Sequence, residues 1–167
     1  LRLLGQAVVL LVAAGLVGGC GYRLGTGAAL PDGSRRLALP AAENRTPEGW
    51  AGAHLTRALR IEAERLGLEL VPEGEAPALR ARLLGLEAVP RAVASFGGRH
   101  ASREGELRVA VEVTLDGLPG EPLGLEKREG YLTAPAHEGT EANQRLAARL
   151  ALERLAARAV ERLLRAF

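Results

Sequence analysis

The sequence predicts an α+β fold: a two-layer sandwich with two helices packed on one face of a mixed sheet of about four strands. Three observations predict it. Leu107 to Leu115 alternates strictly between apolar and polar residues, and two stretches, one early and one closing the chain, repeat apolar residues at helical spacing. No internal repeat and no second domain is visible. Of 167 residues about 148 remain once the apolar leader is set aside, enough for one domain with its own core.

That leader is the first element. Leu3 to Val17 is almost wholly apolar, follows a single positive charge at Arg2, and is too short for a comfortable span of about 20 residues. This is the layout of a signal peptide over residues 1–19. Leu16-Val17-Gly18-Gly19-Cys20 resembles the lipobox of bacterial lipoproteins, in which the cysteine thiol takes the lipid and the cysteine becomes the mature N-terminus. Cys20 is the chain's only cysteine, so a disulfide within the chain is excluded. Two acyl chains would anchor the protein stably, since each buried methylene contributes about 0.8 kcal/mol. Gly21 follows Cys20 where an aspartate would stand in the enterobacterial rule for retention, which points to the outer membrane, periplasmic side.

Residues 20–35 form the anchor and a glycine-rich tether, with Pro31-Asp32-Gly33 as a turn, and the folded domain is expected over 36–167. Arg36 to Leu39 predicts a strand closed by Pro40. Thr46 as N-cap, Pro47 at the first helical position and Glu48 at the positive end of the dipole predict a helix over 47–66. Ala51, Leu55, Ala58, Leu59 and Leu66 make its apolar stripe, Glu62 interrupts it, and Gly67 stops it. Trp50 is a core or staple residue at the helix start, with a partner anchor as the other reading.

Leu68 to Val71 predicts a short strand, and Ala78 to Val89 a longer one whose phase slips at Leu83-Leu84, predicting a bulge near Gly85. A connection over Val93 to Ser102, with Phe96-Gly97-Gly98 at its tip, leads to the regular strand Leu107 to Leu115. Leu123 to Tyr131 is a weaker strand holding Glu126-Lys127-Arg128-Glu129. Thr140 caps a final helix over about 141–166, with Leu152, Leu155, Ala156, Ala159, Val160, Leu163 and Phe167 on one stripe. Arg145 and Arg149 project toward that stripe's side. Either their stems snorkel past the sheet, the favoured reading, or these turns face a partner.

Charge and composition exclude several function classes. The 22 Lys and Arg residues fall to 21 once Arg2 is set aside, against 20 Asp and Glu. A near-neutral mature chain argues against a nucleic-acid binder. His54, His100 and His137 are scattered, no nucleophile elbow, phosphate loop or zinc motif appears, and the carboxylates lie in salt-bridging positions on helices. No enzyme, cofactor or metal is expected.

Gly19-Cys20-Gly21-Tyr22-Arg23-Leu24 resembles the opening of the LptE family of lipopolysaccharide-assembly lipoproteins. Further landmarks match in order: Asn44-Arg45-Thr46, Gly67-Leu68-Glu69-Leu70, Pro77-Ala78-Leu79-Arg80, Glu106-Leu107-Arg108-Val109, and Glu138 to Ala148. The resemblance implies an outer-membrane lipoprotein that plugs and helps assemble the LptD β-barrel and contacts lipopolysaccharide on its way to the cell surface. It implies lipopolysaccharide contacts at Arg99, flanked by Arg91 and Arg103 around the 93–102 connection, and at His137 before the last helix. Arginine suits such a ligand because its planar fork matches phosphate and carboxylate oxygens. For each of these arginines the ordinary alternative is a solvated surface charge. The alternative function is a free-standing periplasmic lipoprotein that binds an amphiphilic envelope ligand without a barrel.

Overall fold

A computed structural model describes residues 29–96, 99–117, 120–133 and 137–165, with the side chains of 90–103 and 137 left out. Cys20, the leader and the tether up to residue 28 lie outside the described residues. The elements run β1 (Arg36–Ala38), β2 (Glu43–Asn44), α1 (Ala51–Arg65), β3 (Glu69–Val71), β4 (Ala78–Phe96), β5 (Arg99–Asp116), β6 (Leu123–Leu132) and α2 (His137–Arg165). They form a mixed sheet in the order β3-β1-β4-β5-β6, with β2 also on β4. The α+β class and the two helices are as expected, but the sheet has six strands rather than about four. The strand that breaks the expectation is β2, two residues long and parallel to β4 through Glu43↔Arg82 and Asn44↔Leu83. Two residues are too few to show alternation.

β4 and β5 are far longer than the alternating runs implied. Their antiparallel register continues past Ala88↔Leu107 through Val93↔Ser102 to Phe96↔Arg99, so the expected 93–102 connection is mostly paired strand. The sequence hid this because Ala, Ser and Gly dominate there and supply no apolar face. The slip predicted near Gly85 is present, as the register shifts between Leu83 and Gly85. Its effect is a change of phase. Leu79, Ala81 and Leu83 are buried before it, Leu84 is the extra residue at 44% exposure, and Leu86 then turns inward opposite Val109.

Both helices lie on the face shown by Leu107, Val109, Val111 and Val113 of β5. α1 packs on β2, β3 and β4, α2 on β5 and β6, and the helices pack on each other. The core is aliphatic: Leu37, Leu55, Leu59, Leu79, Leu83, Leu107, Leu152 and Leu155 are among its fully buried side chains, and no described polar or charged residue is buried. Burying one such leucine contributes about 1.5–3 kcal/mol. The packed fold reaches back to Leu30, at 4% exposure, which starts a turn closed by Gly33 N–H to Leu30 O at 2.8 Å.

The start of α1 corrects the expected cap. Thr46 is not the N-cap: Trp50 holds that position, without a side-chain capping bond, and Pro47 and Glu48 precede the helix. Asn44 is the reason. Its Oδ1 accepts from Thr46 N–H (3.0 Å) and from Thr46 Oγ1 (2.8 Å), and its Nδ2 donates to Glu48 O (2.9 Å). The Thr46 hydroxyl is thereby committed to a side-chain turn. Thr56 locks the same corner, accepting from Ala42 N–H and donating to Gly52 O, both at 2.9 Å. The exit follows expectation, with Gly67 at φ 80°. Leu68 N–H reaches Ala63 O at 3.0 Å and Gly67 N–H reaches Glu64 O at 2.9 Å, a Schellman closure.

Thr140 is likewise not a cap, because α2 already runs from His137, with Glu138 in its first turn suited to the dipole. α2 is tied to the β6 edge by Asn143 Nδ2, which donates to Leu132 O at 2.7 Å, and by Gln144 Nε2, which donates to the Tyr131 hydroxyl at 2.9 Å. Tyr131 reaches that position by lying over Gly105, its register partner on β5. A Cβ at Gly105 would stand 2.1 Å from the Tyr131 ring, so only glycine admits the aromatic there.

This pairing predicts a coupled cost. Gly105→Ala should destabilise the domain by about 1–3 kcal/mol by displacing the ring, and the same change in a Tyr131→Ala background should cost much less. Urea unfolding of the four proteins of the cycle measures it; equal costs in both backgrounds would refute the account.

Candidate functional site

Three surfaces come out of this architecture: the uncovered face of the sheet, the projecting β4–β5 hairpin, and a cleft where the helices begin.

The uncovered face is a lattice of ion pairs across the strands. Glu43 on β2 meets Arg45 at 2.8 Å and Arg82 of β4 at 3.1 Å, and Arg82 meets Glu112 of β5 at 3.2 Å. Farther along, Glu126 of β6 lies 3.3 Å from both Arg108 and Arg128. Arg80 pairs with Asp116 and Glu73. The Arg45 guanidinium, seconded by Arg82, holds the Glu43 carboxyl below the usual carboxylate range. The expectation that carboxylates serve ion pairs on helices is thus corrected: the Glu62–Arg65 pair is within a helix, whereas this lattice sits on strands.

The hairpin carries three of the four basic residues singled out from sequence. Arg91 lies on β4 between the rungs Pro90↔Gly105 and Ala92↔Glu104, Arg103 lies on β5 between Ser102 and Glu104, and both stand at register shifts. Arg99 opens β5 opposite Phe96. The backbone therefore gathers these three on one hairpin, while their side chains lie outside the described residues. His137 is the first residue of α2 rather than part of a loop before it, and is not on the hairpin; its side chain is also outside the description.

The cleft, of about 330 Å³, is lined by Glu48 and Trp50 before α1, by Glu141, Gln144, Arg145 and Ala148 of α2, and by Leu86, Ala88 and Leu107 of the sheet. Trp50 is half-buried against the core and donates its indole N–H to Glu48 Oε2 at 2.9 Å. Arg149 lies over the Trp50 ring, 5.6 Å from its centroid, so its guanidinium meets the residue that begins α1. Arg145 is exposed at the cleft. His54 stands edge-on to Trp50, with Nε2 3.3 Å from Glu153 Oε1. Sequence periodicity gave no sign of this cleft, since its residues come from four elements.

Among the described residues no group of three His, Cys, Asp or Glu is placed to hold a metal ion, and no helix is long and apolar enough to cross a membrane.

The lattice predicts a small energetic role for its members. Arg82 is exposed and its partners Glu43 and Glu112 are exposed and half-buried, so Arg82→Ala should change the unfolding free energy by about 1 kcal/mol or less, as read by urea titration. A much larger loss would mean that the outer face helps hold the fold.

A comparison with one solved structure agrees with the architecture. The solved structure of rare lipoprotein B from Shewanella oneidensis is similar at 22% identity and a TM-score of 0.51, over 78% of this chain and 92% of that one. A minor lipoprotein from Acinetobacter baumannii is similar at 20% identity and a TM-score of 0.49, over 78% of this chain and 90% of that one. At such identity the Shewanella likeness shows the fold alone. A search of curated proteins found no match. The family described as "LptE: Lipopolysaccharide-assembly" matches residues 34–167.

Proposed function

Since the chain belongs to the LptE family of lipopolysaccharide assembly, we propose that it is an outer-membrane lipoprotein that plugs and helps assemble an LptD-type β-barrel and contacts lipopolysaccharide there. The family match over the folded domain is the observation that carries this reading. The surfaces support it. A plug must present a rigid, wet exterior to a polar barrel lumen, and the ion-paired face of the sheet is such an exterior. Its described ion pairs compensate one another, which lowers the cost of enclosing it.

Cys20 is the lipid attachment point in this proposal, with residues 1–19 removed as the signal peptide and the tether of 20–35 shortened by the packing of Leu30 into the core. The hairpin residues Arg91, Arg99 and Arg103 are the proposed lipopolysaccharide contacts, because their backbone positions converge on one projecting element. His137 keeps a weaker claim on its own element. The alternative of a free-standing amphiphile binder draws little support from the cleft, whose rim is formed by Glu48, Glu141, Gln144 and Arg145.

Affinity purification of the full-length protein from detergent-extracted outer membranes, with mass spectrometry of partner and N-terminal peptide, tests the proposal. A stoichiometric large β-barrel and an acylated Cys20 are expected; an acylated protein recovered alone would overturn the plug, and an unmodified Cys20 would overturn the anchor. Replacing Arg91, Arg99 and Arg103 together by Gln should lower the lipopolysaccharide recovered with the complex while leaving barrel recovery unchanged. Unchanged lipopolysaccharide would remove the hairpin contacts.

A further inference from the structure

Between Ala29 and Arg36 one side chain alone is buried. Leu30 belongs to the core cluster, whereas Ala29, Asp32, Gly33, Arg35 and Arg36 are exposed and Pro31 and Ser34 are half-buried. The hydrogen bonds of this stretch turn back on themselves. Leu30 N–H donates to Ser34 O at 2.8 Å, Gly33 N–H to Leu30 O at 2.8 Å, and Ser34 N–H to Asp32 Oδ1 at 2.9 Å. The first bond to the rest of the molecule comes later, where Glu69 N–H donates to Arg35 O at 2.7 Å and β1 begins to pair with β3. Among the described residues, therefore, the loop 30–34 closes on itself and is fastened to the domain by Leu30.

That fastening is a balance of opposed effects. Burial of the leucine favours it. Ordering of the loop residues opposes it, and so does Ser34, whose hydroxyl oxygen is buried with no hydrogen-bond partner among the described residues and regains water when the loop lifts off. The loop's own bonds join it to itself and do not hold it on the domain. The chain just beyond is held differently: Leu37 and Ala38 are both buried, and Ala38 N–H reaches Pro77 O at 2.9 Å. Segments with few buried contacts open before the core does.

We infer that residues 30–34 are a latch that lifts off while the rest of the domain stays folded, so that the chain leading back to Cys20 has two lengths. This rests on the reading of Cys20 as the lipid anchor. Seated, Leu30 leaves only Gly21 to Ala29 between lipid and domain. Released, the loop adds its own residues, about 17 Å of extended chain. The bond from Glu69 to Arg35 and the pairing of β1 with β3 lie beyond the loop, so the domain itself is the same in both states. The latch thus sets two heights of the domain above the leaflet, low with Leu30 seated and higher with it released.

Amide hydrogen exchange in the mature full-length chain, purified in detergent and resolved by NMR, tests the inference, and the intact mass of the same sample reports the lipid on Cys20 separately. The Leu30 and Gly33 amides should exchange at least about tenfold slower than in an unstructured peptide and at least about tenfold faster than Ala38, and low urea should accelerate Ala38 but not these two. Unprotected Leu30 and Gly33 would mean that the loop is not docked, and exchange at the rate and with the urea response of Ala38 would mean that it opens only when the domain unfolds; either result overturns the latch. An unmodified Cys20 would remove the anchor and with it the two tether lengths, whatever the exchange. Leu30→Ala should abolish the protection at Gly33 and speed Ala38 by no more than the same factor. A larger loss at Ala38 would make Leu30 a support of the core and refute an independent latch.

Discussion

The antiparallel ladder between β4 and β5 is the constraint on which the rest of the structure depends. β4 joins the parallel part of the sheet, through β1 and β2, to the antiparallel part, through β5, and the helices reach the sheet through residues whose direction that ladder fixes. With side chains alternating at a period of two, an unbroken β4 would turn Leu86 away from the helices after Leu83. The extra residue at Leu84 resets the phase, so Leu86 faces inward opposite Val109 and the core continues toward the start of α2. One exposed leucine is the cost of that continuity.

The two faces of the sheet do different work. The inner one is aliphatic and holds the fold, because each buried leucine or valine removes apolar area from water and none of the described buried positions carries a polar side chain. The outer one is charged and contributes little stability, since its arginines and most of its carboxylates are exposed and screened by water. What the lattice sets is the character of a surface: charged, neutral in local sum and resistant to packing against lipid. A domain enclosed by a polar wall, as the proposed plug would be, needs such a surface more than it needs added stability.

The sequence made the strongly periodic parts legible. Leu107 to Leu115 announced β5, the slip at Leu83-Leu84 announced the bulge, and Gly67 announced the end of α1, because each leaves a local pattern. What escaped notice depends on contacts distant in sequence or on side chains with two uses. Thr46 satisfied every local rule for an N-cap, yet Asn44 two residues earlier captured its hydroxyl and moved the helix start to Ala51. The far ends of β4 and β5 carry Ala, Ser and Gly and are strands because each pairs with the other. The hairpin arginines were legible as a cluster, while the cleft was not, since Trp50 and Gln144 meet only after the helices dock.

The placement of Leu30 bears on the anchor and the plug as proposed. It is buried in the core, so no more than ten residues separate the folded domain from the proposed lipid at Cys20, at most about 35 Å of chain. An acyl group held in the periplasmic leaflet would thus keep the domain within about one membrane thickness of that leaflet. Such a domain can enter a barrel lumen from the periplasmic side, whose lipid-facing band is about 25 Å tall, but it cannot serve a partner far across the periplasm. With the anchor at Cys20 as proposed, the position of Leu30 thus restricts which partner the domain could reach.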